Sequence, residues 1–304
     1  MAKGHRFDIA IPGFPRSPAC PRIWLGRMSS PLISSTCRQT EPSSVVSAKM
    51  IEAREKNISR TVAEYRRSFS IVPATTEALR EQVFRLRYQV YCVENQWEDP
   101  AQHSDEIEID VYDAHSVQSL LIHRASGTAI GAVRLILPLD EMPEKSFPIQ
   151  GVCRAPQLGN STWFPLSSGG EVSRFCISKE FRKRREDMFH RADQDRSSTG
   201  NERRVIPHLT LALIEALVLM SIENRVSHWF AMIEPSLMRL LARLGIHFDP
   251  IGQMIDYHGL RQPCCIRLDR LVERVCAENQ HTWDILTDHG DRWDAIRFLP
   301  SPRD

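Results

Sequence analysis

The chain has 304 residues, 42% of them hydrophobic and 25% charged, which is enough apolar material for one large core or two modest ones. Lys and Arg number 39 against 38 Asp and Glu, a formal net charge of +1, so nucleic acid and anionic membrane have no global electrostatic case as partners. The longest apolar run, Leu209 to Met220, is broken by Glu215 and is too short to span a bilayer, and the eight cysteines show neither C-x-x-C spacing nor any zinc pattern.

No metal site is therefore expected. The setting read from these features is a soluble, reducing, cytoplasmic one in which the thiols are free and buried.

Residues 1–48 are rich in Pro, Ser and Arg and show no sustained periodicity, which reads as a disordered extension. No continuous apolar segment marks a targeting peptide, and Met50 is an alternative start. Order begins near Ser68. Phe69, Ile71 and Pro73 alternate as a short strand, and Thr75 or Thr76 caps a helix whose apolar face runs through Leu79, Val83, Phe84, Leu86, Val90 and Tyr91.

Residues 92–116 form a long acidic loop, and a loop of that length inside a compact domain needs a reason to exist. Strands follow at Gln118–His123 and Ala129–Leu137, joined by a turn at Ser126-Gly127. After an irregular excursion over 138–168, Glu171–Ser178 alternates again, with Glu171, Ser173 and Phe175 assigned to one face and Val172, Arg174 and Cys176 to the other.

A charged loop runs from Lys179 to Arg204, and Pro207 is expected to open an apolar helix reaching Glu223. Trp229–Ile233 reads as a buried strand. Pro235 starts a helix that Gly245 ends, and Ile251–Tyr257 and Cys264–Leu268 read as a last pair of strands. Helices falling on both sides of a mixed sheet predict an α/β sandwich over 50–268. Residues 269–304 are expected to be a tail with one short helix near Leu271–Cys276.

An ordered set of charged and aromatic residues carries the functional reading: Arg87, Tyr91, Trp97, Asp110 with Asp113, Arg134, and Glu171 with Arg174. In this order the set resembles the acyl-homoserine lactone (autoinducer) synthases, which carry Arg and an aromatic, then Trp, D-x-x-D, a strand Arg and E-x-x-R. Tyr91 stands where that family usually has Phe.

Further stretches are similar to the acyltransferases associated with the PEP-CTERM/exosortase system. They are Phe84–Cys92, Tyr112-Asp113 with His115-Ser116, Arg134–Pro138, Phe147–Ile149, Glu171–Phe175, Phe181–Arg185 and Tyr257–Cys264. The long-chain N-acyl amino acid synthases share the pattern of core charges. These resemblances imply a GNAT-like fold, a mixed sheet flanked by helices on both faces, with an acyl thioester as donor and an amine as acceptor.

The chemistry is consistent with that reading on its own terms. Aminolysis of a thioester needs a neutral amine, a base and donors for the developing oxyanion. Glu171 is the candidate base, with Ser173 beside it on the same strand face. Arg87, Trp97, Asp110, Asp113, Arg134 and Arg174 are candidates for the acceptor site, where Arg134 and Arg174 can hold a carboxylate bidentately and the acids an ammonium. A plain salt-bridge network fixing the loop to the sheet is the competing role for the same charges.

The Gly-rich turn that cradles the pyrophosphate of coenzyme A in many GNAT enzymes is not found here. The basic run Arg182, Lys183, Arg184 and Arg185 suits docking of an acyl carrier protein, so acyl-carrier protein or acyl-coenzyme A remain the two co-substrates expected, with no tightly bound cofactor. The general acid is unassigned, since the Pro235 helix offers no Tyr. Two other functions compete: a lactone synthase using S-adenosylmethionine, and a non-catalytic acyl-binding member of the exosortase system.

Overall fold

In the computed structural model, residues 66–159, 162, 164–179 and 199–299 are described, with side chains omitted for Ser104 and 199–207. The expected extension over 1–48 and the run Arg182, Lys183, Arg184 and Arg185 lie outside the described residues.

The first strand, β1 (Phe69–Pro73), leads to α1 (Glu77–Tyr88), whose N-terminus is capped by the Thr76 hydroxyl accepting from Leu79 N–H at 3.3 Å. The helix continues as a wider π-type turn over Gln89–Glu94. The hairpin of β2 (Ser116–His123) and β3 (Thr128–Ile136) turns at Gly127, whose φ of +65° suits a glycine. A five-residue helix α2 (Pro148–Val152) precedes β4 (Gly169–Ile177).

The long helix α3 spans Thr199–Glu223. It is followed by β5 (His228–Ile233), α4 (Pro235–Arg243), and the strands β6 (Asp249–Pro250), β7 (Ile255–Asp256) and β8 (Leu260–Arg267). The chain then forms α5 (Leu268–Glu278), α6 (Gln280–Thr287) and α7 (Trp293–Arg297).

The sheet runs in the order β1-β2-β3-β4-β5-β8-β6, with β7 paired to β8. Every neighbouring pair is antiparallel except β4 and β5. Period-two alternation divides the strands between the faces. Leu121, Val133, Leu135, Trp229, Ala231 and Ile266 pack under α3 in the main core. On the opposite face, Leu120, Ala132 and Cys176 meet Val83 and Val90 of the first helix and its extension, and Ile136, Phe230 and Cys265 meet Phe147 and Ile149. This is the expected α/β sandwich.

Three local expectations need correction. The helix assigned to begin at Pro207 begins at Thr199, because a proline inside a helix forfeits one backbone hydrogen bond without ending the helix when neighbouring turns carry it. The strand expected over Ile251–Tyr257 is reduced to Ile255–Asp256, and β8 starts at Leu260 rather than Cys264.

The third correction concerns the C-terminal segment, which has three helices rather than one. Leu268, Leu271, Val272, Val275, Trp283, Ile285, Leu286 and Ile296 all belong to the main core. The segment helps build the domain because its apolar positions recur at three- and four-residue spacing and close the outer side of α3. Leu286→Ala is therefore expected to cost about 2–5 kcal/mol in urea denaturation, as a fully buried Leu does. A dispensable tail would leave the midpoint unmoved.

Candidate active site

Four elements converge on one charged cluster. The first helix presents Arg87, the loop before β2 presents Glu108, Asp110 and Asp113, β3 presents Arg134, and β4 presents Arg174. The loop is shaped by its own acids. Asp110 accepts from Tyr112 N–H at 2.9 Å and Asp113 accepts from Asp110 N–H at 2.8 Å, a reciprocal capping box at the start of a short 3₁₀ turn over Val111–His115.

The same carboxylates then take up the arginines. Arg87 donates to both oxygens of Asp113, at 2.7 and 3.0 Å, and to Glu108. Arg134 donates to both oxygens of Asp110, at 2.6 and 2.9 Å, and pairs with Asp113 at 2.9 Å. Arg174 donates to Glu108 at 2.8 Å and also meets Asp110 and Glu98, at 3.3 and 3.4 Å.

Arg87 and Glu108 are fully buried, and Arg134 is 1% exposed. Charges so placed persist only when paired and hydrogen-bonded. Burial opposes ionisation of Glu108 and Asp113, but the Arg87 charge and the hydrogen bonds from Arg174 and Arg87 win, holding Glu108 down at about 2 and Asp113 at about 2.

Glu108 is the central acid of the cluster, yet it is absent from the residues singled out by sequence. Its segment, Glu106-Ile107-Glu108-Ile109-Asp110, belongs to an irregular acidic loop, and nothing in its pattern separates the one buried carboxylate from its neighbours.

Arg174 reaches this cluster through a bulge. Ser173 pairs with Arg134 and Cys176 with Ala132, so three residue steps on β4 face two on β3. Arg174 takes the left-handed region at φ +47° within the bulge. The strict alternation expected for Glu171–Ser178 is thus broken. Phe175 packs with the α3 core, while Cys176 joins the face that carries the first helix.

Glu171 stands apart from the ion pairs. It is 3% exposed, and its Oε2 accepts from Ile149 N–H at 2.9 Å. Burial pushes its carboxyl up to about 8, against the Ile149 hydrogen bond and the Arg134 charge, and the Asp110 charge adds to the rise. Ser173, on the same face, accepts from Arg134 Nε at 2.9 Å.

The parallel pair β4 and β5 parts just beyond Glu171. Pairing runs only from Gly169 with His228 to Val172 with Ala231. Past that point a pocket opens between the strands. Its inner wall is apolar, with Phe175, Ile214, Ile233, Leu237, Leu241 and Phe248, and its mouth is polar and aromatic, with Tyr91, Trp97, Glu98, Arg174, Tyr257 and Arg261.

Trp97 is 40% exposed, packs edge-on against Tyr91 at 5.5 Å and lies under the Arg261 guanidinium at 5.7 Å. The strand Trp229–Ile233 and the apolar helix do contribute walls to this pocket, through Ala231 to Ile233 and Ile214. Among the described residues no helix is long and apolar enough to cross a membrane, and no group of three potential ligands gathers for a metal.

Residues 86–190 match the family model described as an acetyltransferase (GNAT) domain. The fold is GNAT-like, a mixed sheet flanked by helices. Among solved structures, TofI in a ternary complex with an inhibitor and MTA gives a TM-score of 0.47 at 17% identity, covering 71% of this chain and 96% of that one. The coenzyme A-dependent acyl-homoserine lactone synthase BjaI, with MTA, gives 0.46 at 18%, covering 73% and 89%. FeeM, an N-acyl amino acid synthase from uncultured soil microbes, gives 0.44 at 13%, covering 70% and 97%. At such distances a shared fold does not carry a shared reaction. No curated protein sequence matches the chain.

The two kinds of carboxyl make opposite demands on pH. Glu108 and Asp113 are lowered, so their stabilisation is present above the ordinary carboxylate range and is lost as pH falls through about 4 towards 2. Glu171 is raised, so the folded protein holds its proton more tightly and stability falls as pH rises from about 4.5 to about 8.

Glu108→Gln should cost about 3–5 kcal/mol near pH 7 in chemical denaturation, because it leaves the buried Arg87 undercompensated. Glu171→Gln should gain stability relative to the parent as pH is raised from 5 to 8, read as a growing difference in thermal midpoint. A pH-independent difference would refute the buried, protonated carboxyl.

Proposed function

We propose that the protein is an N-acyltransferase moving a long fatty acyl chain from a thioester to the amine of a small polar acceptor such as an amino acid. The observation that carries this reading is Glu171. It is a buried carboxyl held near neutrality, outside the ion pairs, at the point where β4 and β5 part. A general base works best when its pKa lies near the working pH, which the paired acids at about 2 cannot offer.

In this reading the acyl chain lies along the apolar wall between Ile214, Ile233, Leu241 and Phe248, with the thioester carbonyl at the strand split. Backbone N–H groups of β4 past Val172, no longer paired to β5, are available to the oxyanion. Glu171 takes a proton from the acceptor's ammonium, and the nitrogen lone pair attacks the carbonyl carbon. The C–S bond breaks, the nitrogen sheds its second proton as the amide forms, and the departing thiolate takes up that proton and leaves as thiol. Ser173 and Arg134 hold the polar side of the cleft, while Arg87, Asp110, Asp113 and Arg174 fix its geometry and Trp97 its rim.

The donor is acyl-carrier protein or acyl-coenzyme A. The carrier protein would dock on Arg182, Lys183, Arg184 and Arg185. A place among the exosortase-associated acyltransferases is supported by the sequence motifs alone, Phe84–Cys92 and Tyr257–Cys264 foremost.

Lipids extracted from cells overproducing the protein are expected to contain an N-acyl species that Glu171→Gln cells lack. A lactone dependent on S-adenosylmethionine would transfer the protein to the signalling synthases, and identical lipid profiles would refute the enzyme. With purified protein, kcat/KM should rise about tenfold per pH unit below 8 and level above it, and Glu171→Gln should lose about 10²–10⁴-fold. Asp110→Asn should move the midpoint of that profile to lower pH, because it removes a neighbouring negative charge and releases Arg134.

A further inference from the structure

The charge balance of the site changes the part the arginines can play. Arg87, Arg134 and Arg174 face Glu108, Asp110 and Asp113, three cations against three anions, with Glu98 as a fourth acid at the rim. Arg134 has both terminal nitrogens on Asp110 and its Nε on Ser173, so no fork remains for a substrate carboxylate. The Arg174 charge is already opposed by Glu108, Asp110 and Glu98. The bidentate capture expected of Arg134 and Arg174 from the sequence is therefore pre-empted by the protein's own acids.

Arg261 is different. It lines the same pocket mouth, yet no carboxylate lies within ion-pair distance of it among the described residues. It is held from two sides. One terminal nitrogen donates to His258 O at 3.2 Å, and the guanidinium lies over the Trp97 ring.

The strand pair β7–β8 that carries it turns tightly through His258 and Gly259, with φ of +51° and +94°, and brings Tyr257 to the mouth as well. The charges of Arg174, Glu171, Glu98 and Asp110 all act on the Tyr257 phenol, so this hairpin stands over the junction of base and ion-pair cluster.

We infer that Arg261 is the residue that selects an acceptor bearing a carboxylate, holding that group against Trp97 at the pocket mouth. Glu98, beside Trp97 in sequence and in the pocket lining, places a negative charge on the same rim. A rim of mixed sign fits a zwitterionic α-amino acid, whose ammonium and carboxylate are both answered, better than the doubly charged phosphates of a donor, which Glu98 repels. With one terminal nitrogen on His258 O and the Trp97 ring beneath, the remaining N–H groups of Arg261 are left for a carboxylate.

The inference rests on the proposed N-acyl transfer, but it is tested by binding rather than turnover. N-dodecanoylglycine and N-dodecanoylethanolamine share an acyl amide and differ in the terminal carboxylate. By calorimetry, the parent protein should bind the glycine conjugate at least about tenfold tighter, a charge-assisted contact's worth. Arg261→Gln should lower that ratio to near one while leaving the ethanolamine conjugate's Kd unchanged, which also shows that the variant is folded. Arg261→Lys should recover part of the ratio.

A ratio that survives in Arg261→Gln overturns the assignment, as does a parent protein that does not discriminate or binds neither conjugate. Weakened binding of dodecanoyl-coenzyme A with the ratio intact gives Arg261 to the donor instead. If the preference holds but no amide forms from acyl thioester and amino acids, the transferase reading fails and the carboxylate site stands.

Discussion

Everything around this site follows from the cost of burying guanidinium groups. Arg87 and Arg134 are removed from water almost completely, and a buried charge without a partner costs several kcal/mol. The chain meets that cost with Glu108, Asp110 and Asp113, all from one irregular loop. The loop is therefore fixed to the sheet by the arginines, and the buried charge of the arginines is compensated by the loop. Neither arrangement is stable alone. A segment with little apolar content is ordered in this way, and its order positions Trp97 and Glu98 at the pocket mouth.

The same constraint explains which parts of the molecule sequence could disclose. The sandwich was legible because its strands and helices announce themselves by period: Leu120 and Leu121 on opposite faces of β2, or Leu79 and Val83 along α1. The arginines and the Asp110–Asp113 pair were legible because their types and order are unusual. Glu108 was not, because a loop has no period to reveal which of its acids turns inward.

The bulge at Arg174 was hidden for a related reason. Glu-Val-Ser-Arg-Phe-Cys reads as clean alternation, and no glycine marks the left-handed residue. The bulge is imposed by tertiary contacts, as Arg174 reaches Glu108 and stacks over Tyr91 at 5.1 Å. Two of the three C-terminal helices were hidden because they are short, at eight and five residues. Their apolar stripes become convincing only when α3 is seen to need cover.

The separation of Glu171 from this cluster is the point at which structure bears on chemistry. Glu171 and Asp113 are both buried carboxyls, and both lie near Arg134, yet one sits at about 8 and the other at about 2. Burial acts on both in the same direction, so the difference lies in pairing. Asp113 receives two hydrogen bonds from Arg87 and the charge of Arg134, whereas Glu171 receives one backbone hydrogen bond. Arg134 is drawn away from Glu171 by Asp110, which takes both its terminal nitrogens, and by Ser173, which takes the third.

Without those partners the same guanidinium would be free to turn to Glu171 and pull it into the range of an ordinary paired acid, too weak a base for an ammonium at neutral pH. The acids of the loop thus have a second effect beyond compensating charge. By occupying the arginine they leave one carboxyl undercompensated, buried against Ile149 next to the strand split, and basic enough to take a proton.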